Sequence, residues 1–215
     1  MKRSAVATAA FSLSVVLSTL ALSGARDADA AAVAGKAQTV SVVDSLGLLE
    51  KAVKSDSSKF DNLYRLGVML MDRDRSQDAI KVLTKAVTLR PKDTKTLVNL
   101  GAAYDANGTP NPAQAYYREA LKVAPGDSVA GCRLAQSLHA SGRTGEAIDL
   151  LRKIVHEKPG SYCAYFTLGV AFADAGIYAD AVRMWKKVIA LSPQSPEAIS
   201  ASESIEVLER YVKSQ

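Results

Sequence analysis

Apolar residues recur along this chain at the spacing of amphipathic helices, in a pattern that repeats every 34 residues. Between residues 60 and 195, apolar side chains occupy positions 4, 7 and 11 of each unit, except at Gly131, and again positions 20, 24 and 27. Each set of three lies on one face of a helix with 3.6 residues per turn. The pattern therefore predicts two amphipathic helices of about 13 residues in every unit.

Four such units align without a gap, and they span residues 60–93, 94–127, 128–161 and 162–195. The most regular positions are position 7, with Leu66, Leu100, Leu134 and Leu168, position 20, with Ala79, Ala113, Ala147 and Ala181, and position 32, with Pro91, Pro125, Pro159 and Pro193. Small residues at positions 8 and 20 let the two helices of a unit approach closely. The proline at position 32 closes the second helix before the next unit begins.

This arrangement resembles the tetratricopeptide repeat family, and the resemblance covers 136 of the 215 residues. It implies an all-α fold, a right-handed α-solenoid of four tandem helix-turn-helix repeats whose first helices line a concave groove. One unit cannot bury both of its faces, whereas stacked neighbours can.

Three details of the units carry their own expectations. Most units have glycine at position 15, between the helices, but the first has Asp74, which predicts a looser turn or a helix capped by Ser76. The third unit has Gly131 at position 4, so its packing should be less tight there. In the second unit, Pro110 fits only in the first turn of a helix, which predicts that the second helix begins near it.

Segments on both sides of the repeats should cap them. Pro196 suits the first turn of a helix, and an apolar face follows it, so residues 196–213 are predicted to form a C-terminal capping helix. Upstream, Leu49 and Ala52 align with positions 24 and 27 of a unit. Residues 43–59 are therefore interpreted as a pre-repeat helix, the second half of a degenerate repeat.

The N-terminal segment, residues 1–30, has the layout of a secretory signal peptide. A short basic start precedes the uncharged run 5–22, and small residues follow it. Cleavage is predicted after Ala30 or, alternatively, after Ala25, and an uncleaved anchor is the remaining alternative. Residues 31–42 are interpreted as a flexible linker. We therefore expect a periplasmic or secreted protein that is free of the membrane once the signal is removed.

Composition narrows the range of functions. The chain is 48% hydrophobic and 23% charged, which excludes a disordered or collagen-like protein. A net charge of +5 with both signs interspersed favours solubility and gives no indication of nucleic-acid binding. Motifs of serine hydrolases, zinc proteases and nucleotide-binding loops are absent. We therefore expect a non-enzymatic protein without a cofactor.

The family resemblance also implies where a partner would bind, because positions 2, 5, 9, 12 and 13 of the first helices usually face the groove. Asn99 and Arg133 stand at position 6, which a subclass of the family uses to grip a terminal carboxylate, but the lysines of that clamp are missing here. The candidate groove residues are Tyr64, Val68, Met71, Val98, Asn99, Ala102, Val129, Arg133, Gln136, Phe166 and Val170. This set is mostly apolar, which suits a helix or extended peptide with aliphatic anchors from a protein partner in an envelope complex. A second copy of the chain, or its own N-terminal tail, is an alternative occupant.

Two cysteines and a histidine supply the remaining candidate chemistry. Cys132 and Cys163 should face the groove from neighbouring first helices, which permits a disulfide but does not require one. His139 lies on the same helix face as Cys132, so the three side chains define an alternative redox, metal or haem site. No metal site is predicted, because the spacing of these residues is not that of a known metal motif. A self-assembling structural subunit is a further alternative.

Overall fold

The computed structural model describes residues 42–213, which form ten helices and, over that range, no strand. In chain order they are α1 Val42–Ser55, α2 Phe60–Met71, α3 Ser76–Leu89, α4 Thr94–Ala106, α5 Pro110–Val123, α6 Ser128–Ala140, α7 Thr144–Glu157, α8 Tyr162–Asp174, α9 Tyr178–Leu191 and α10 Pro196–Lys213. None of these helices is both long enough and apolar enough to cross a bilayer. The predicted signal peptide and residues 31–41 of the predicted linker lie outside the described residues.

The helices α2 to α9 form four antiparallel pairs, one pair for each 34-residue unit. The first helices begin at 34-residue intervals, at Phe60, Thr94, Ser128 and Tyr162. Each packs against the second helix of its own unit, and that second helix packs against the first helix of the next. The predicted solenoid of helix-turn-helix repeats is confirmed, and so is the start of α5 at Pro110.

Contacts between units show which side of the stack is the inner one. Neighbouring first helices touch each other, α2 with α4, α4 with α6 and α6 with α8. Among the described residues, the second helices of neighbouring units make no such contact. Because the stack is tighter on the side of the first helices, it curves toward them. The surface formed by α2, α4, α6 and α8 is called the concave face below.

Close helix approach inside each unit depends on the small residue at position 8. A Cβ atom added to Gly101 would lie only 2.6 Å from Cε1 of Tyr117, which is fully buried at position 24. Any side chain at Gly101 would therefore displace the Tyr117 ring of α5 from its buried position. In the fourth unit, a Cβ atom added to Gly169 would likewise clash with the Trp185 ring.

All four units have the same turn between their helices. In the first unit the Arg75 N–H donates to the Leu70 carbonyl at 2.9 Å, and the equivalent bonds of the other units are 2.8 to 2.9 Å long. Asp74 adopts φ of 57°, in the left-handed region that the glycines of the other turns occupy. The turn is thus no looser than the others, contrary to expectation, and α3 begins at Ser76 without a side-chain cap.

Both ends of the array are covered by a single helix. At the C-terminal end, the Ala198 N–H donates to Ser195 Oγ at 3.1 Å, and α10 buries one apolar face against the fourth unit. If Pro196 is taken as position 1, positions 7, 8 and 11 of α10 are Ser202, Glu203 and Glu206, all of them exposed. The other end is covered by α1, which packs against α2. The predicted pre-repeat and capping helices are therefore present.

Candidate functional site

The concave face carries the predicted groove residues in columns, one column for each first helix. They are Tyr64, Val68 and Met71 on α2, Val98, Asn99 and Ala102 on α4, Val129, Arg133 and Gln136 on α6, and Phe166 and Val170 on α8. Their exposure differs widely. Val129 is 57% exposed and Arg133 is also exposed, whereas Val98 is packed into the core at 8%. The other members are half-buried, so Val98 offers the least surface to a partner and α6 the most.

A side-chain hydrogen bond links the first helices of the first and second units. Asn99 Nδ2 donates to the hydroxyl oxygen of Tyr64 at 3.1 Å. This bond joins α2 to α4 across the concave face. Two side chains expected to contact a ligand therefore contact each other.

The junction between the second and third units has a partly buried carboxylate at its centre. Asp105 accepts hydrogen bonds from the Tyr117 hydroxyl at 2.9 Å and from Ser137 Oγ at 2.8 Å, and so connects α4, α5 and α6. Burial raises the pKa of Asp105, although Ser137, Tyr117 and the nearby Arg133 oppose the shift. Burial and the adjacent carboxylate also raise the pKa of Tyr117. We call these three residues the Asp105 hub.

The junction between the third and fourth units is covalent. Cys132 and Cys163 form a disulfide between α6 and α8, with their Cα atoms 6.2 Å apart. Along the same pair of helices, Gln136 Nε2 donates to Thr167 Oγ1 at 3.2 Å. Cys132 is buried and Cys163 half-buried, so the bridge lies in the floor of the concave face.

His139 belongs to this covalent junction and not to a metal site. Its Nε2 lies 2.8 Å from Asp174 Oδ2 on α8, and its Nδ1 lies 3.0 Å from Thr144 Oγ1. The sulfur atoms of Cys132 and Cys163 are bonded to each other. All three side chains of the alternative metal or haem site are thus engaged, and the arrangement does not fit such a site. Over residues 42–213, no group of three or more His, Cys, Asp or Glu side chains is placed to hold a metal ion.

Charge on the concave face is predominantly positive where it is free to interact. Three exposed cations share the first helices, namely Arg65, Lys95 and Arg133. Within the described part of the chain, Arg65 and Lys95 have no acidic partner. Of the acids on the same helices, Asp61 of α2 is exposed with its Oδ1 3.7 Å from Nη1 of Arg90, Asp105 is in its hub, and Asp174 is paired with His139. Sequence reasoning had already placed Arg133 among the groove residues, but it emphasised the apolar character of the groove and did not single out Arg65.

Models of the tetratricopeptide repeat match the chain over residues 60–93, 106–168 and 164–195, which together make up more than half of it. The chain belongs to the tetratricopeptide repeat family. Proteins built from these repeats typically act as interaction modules without catalytic activity, using the extended concave surface of the solenoid.

Several solved structures are similar to this chain. The crystal structure of MamA is 25% identical with a TM-score of 0.60, over 71% of this chain and 89% of that one. YrrB, described as a TPR protein with an unusual peptide-binding site, is 23% identical with a TM-score of 0.56, over 74% and 81%. TTC0263, a thermophilic TPR protein of Thermus thermophilus, is 16% identical with a TM-score of 0.66, over 77% and 90%. The last two likenesses are of fold alone. No curated protein matches the chain significantly.

Proposed function

We propose that the concave face binds a segment of a partner protein that carries aliphatic anchors and acidic flanks, so that the chain serves as a non-enzymatic scaffold. The observation that carries this proposal is the surface of α6. There Val129 is 57% exposed, and Arg133, also exposed, follows one helical turn later. An aliphatic side chain beside a guanidinium group offers both an anchor site and a charged hydrogen-bond donor.

Apolar surface is also accessible on two other first helices. Phe166 and Val170 on α8 and Val68 on α2 are half-buried and so retain accessible area. Together with Val129, they give a partner apolar contacts on three of the four first helices. An amphipathic helix or an extended peptide can cover such a surface with side chains from one of its faces.

Positive charge decides which kind of segment fits best. Arg65, Lys95 and Arg133 come from three consecutive first helices, and the first two have no acidic partner among the described residues. Carboxylates on the partner would form charge-assisted hydrogen bonds with these groups and would increase the rate of encounter. A basic segment would meet repulsion at the same positions.

We propose further that the protein is exported and works in the periplasm or outside the cell, as part of an envelope complex. The layout of residues 1–30 supports this, and so does the Cys132–Cys163 disulfide, because such bonds persist in oxidising compartments. The mass of the protein purified from its native cells tests the idea. We expect a chain that begins after Ala25 or Ala30, and an intact chain recovered from the cytoplasm would contradict export.

Affinity capture with matched variants tests the concave face. The test variant is Val129→Glu with Arg133→Glu, on α6. The control is Val123→Glu with Arg152→Glu, which changes a 39% exposed valine and an exposed arginine on second helices. We expect an envelope protein to be retained by wild type and control and lost by the test variant, with unchanged circular dichroism. Equal retention by all three would reject the concave face, and capture of the chain itself would make a second copy the occupant.

Synthetic peptides test the charge preference separately. Two 20-residue helical peptides share leucine anchors at i, i+3, i+4 and i+7, but one has glutamate flanks and the other lysine flanks. We expect the acidic peptide to bind about ten-fold more tightly in fluorescence anisotropy at low salt, with an advantage that shrinks as salt rises. Equal affinities would mean that acidic flanks do not contribute to recognition and that only the apolar anchors do.

A further inference from the structure

A cavity of 230 Å³ lies between the second and third units, lined by residues of α5 and α7, the start of α6 and the loop between α5 and α6. Gly131 of α6 and Ile154 of α7 form part of its wall, with Leu121 of α5 and Leu150 of α7 beside them. We call it the Gly131 pocket. Binding in this pocket would not depend on the function proposed for the concave face.

The pocket arises from an exchange of large and small residues inside the third unit. At positions 4 and 27 the other units carry a large residue followed by a smaller one, namely Leu63 with Ala86, Leu97 with Ala120 and Tyr165 with Val188. The third unit reverses this order with Gly131 and Ile154. A Cβ atom on Gly131 would lie 2.6 Å from Ile154 Cδ1, so the isoleucine leans over the glycine. It remains 9% exposed, whereas the residues at position 27 of the other units are fully buried. The exchange therefore leaves the site incompletely filled.

The entrance of the pocket carries two lysines and two acids. Lys158 Nζ reaches across it and donates to the Gly126 carbonyl, and it keeps two further N–H groups for other acceptors. Lys153 Nζ lies 3.9 Å from Glu157, a long and exposed pairing that leaves the ammonium largely available. The carboxylate of Asp127 is already engaged as the N-cap of α6. An apolar interior is thus combined with two ammonium groups at its mouth.

We propose that the Gly131 pocket binds carboxylates that have a compact apolar body. An apolar protein cavity of about 150 Å³ holds a benzene ring, so this pocket has room for one ring and a short chain. The ring or branched chain would contact Leu121, Leu150 and Ile154, and the carboxylate would meet Lys153 and Lys158. A free aryl or branched-chain acid has this chemistry, and so does the C-terminal apolar residue of another protein.

The first experiment uses 3-phenylpropionate with the full-length protein labelled at its Ile and Leu methyl groups. We expect saturable NMR shifts of the Ile154, Leu121 and Leu150 methyls, with a Kd on the order of 1 mM, and no shift of Leu66 in the first unit. The uncharged analogue 3-phenylpropanol should bind at least about five-fold more weakly, because it lacks the contact with the lysines. The absence of saturable shifts would overturn the proposal, and equal binding of the alcohol would overturn the role of the carboxylate.

The matched variant is Gly131→Leu with Ile154→Ala, which installs the Leu and Ala pair of the first two units and closes the pocket. Thermal unfolding verifies that it folds, and we expect it to lose the response to 3-phenylpropionate. An unchanged response would place binding elsewhere and overturn the proposal. The variant Lys153→Gln with Lys158→Gln leaves the apolar wall intact. It should weaken the binding of 3-phenylpropionate about five-fold and leave the binding of 3-phenylpropanol unaffected.

Two short peptides ending in phenylalanine distinguish the sources of the carboxylate. One has a free C-terminus and the other an amide. Tighter binding of the free peptide than of 3-phenylpropionate would identify a protein C-terminus as the ligand, and weaker binding would identify a free acid.

Discussion

The first and last junctions between units occupy equivalent places in the array, yet they are held by different forces. Between α2 and α4, the described residues form one side-chain hydrogen bond across the concave face, from Asn99 to Tyr64. Between α6 and α8 a disulfide is reinforced by His139 and Asp174. The residues responsible lie outside the repeat pattern. Four units built on the same pattern of core positions can therefore differ in stiffness, because the pattern specifies packing and leaves the links between first helices free to vary.

The largest expected effect comes from removing the covalent link. Replacing both Cys132 and Cys163 by serine releases a constraint that spans 31 residues and should lower the free energy of unfolding by about 3–4 kcal/mol. Urea denaturation of the wild type and the variant measures the loss. Wild type in a dithiol reductant should approach the variant, and a variant as stable as the oxidised protein would mean that the last junction does not depend on its bridge.

At the middle junction, Tyr117→Phe should cost about 1–2 kcal/mol, because the buried ring stays in place while Asp105 loses a donor. Tyr116→Phe is the matched control. Tyr116 stacks on Tyr104 with ring centroids 5.6 Å apart, and its ring would be retained. Chemical denaturation should show that Tyr117→Phe lowers the free energy of unfolding several times more than Tyr116→Phe does. Equal losses would mean that the hub contributes no more than an ordinary tyrosine hydroxyl.

At the first junction the expected loss is smaller still. Tyr64→Phe removes the acceptor of Asn99 on a half-buried surface, where water can replace it, so we expect about 0.5–1 kcal/mol. The same urea assay applies. A loss of unfolding free energy larger than that from the two cysteine substitutions would mean that the first junction is held more strongly than the last, contrary to expectation.

The smallest effect is a dependence on pH at the Asp105 hub. Since burial raises the pKa of Asp105 in the folded state, the stability contributed by this group is complete below its unfolded value of 3.8 and is lost as pH rises through the folded value. The stability of wild type relative to Asp105→Asn should therefore fall as the pH rises above the unfolded value of 3.8. Denaturation curves at several pH values test the sign, and a relative stability that rises with pH would contradict it.

The fold could be predicted from the sequence because the positions that build it recur locally. The helix starts at Phe60, Thr94, Ser128 and Tyr162 follow from a 34-residue period and from helical spacing, which require no knowledge of distant contacts. Membership of the repeat family and the all-α solenoid followed from the same positions. The two flanking helices were predicted by the continuation of apolar faces beyond the units.

Apart from the disulfide, which the positions of Cys132 and Cys163 permitted, the links between units could not be predicted in the same way. Asp105 and Ser137 are 32 residues apart and meet only because two helices pack in one particular register. Gly131 indicated loose packing, but nothing in a single helix showed that Ile154 would lean over it. Asp74 takes the left-handed conformation because the hydrogen bond closing the turn requires it, a demand that overrides its own preference.

The polar surface of α10 determines where further repeats could be added to the array. Every complete unit needs a small residue at position 8 for its second helix, and α10 has Glu203 there, beside Glu206 at position 11. A further second helix therefore could not pack closely against α10. Duplication of a unit before Pro196 would lengthen the binding surface and keep the terminal helix, whereas extension after Lys213 would add chain without adding to the array.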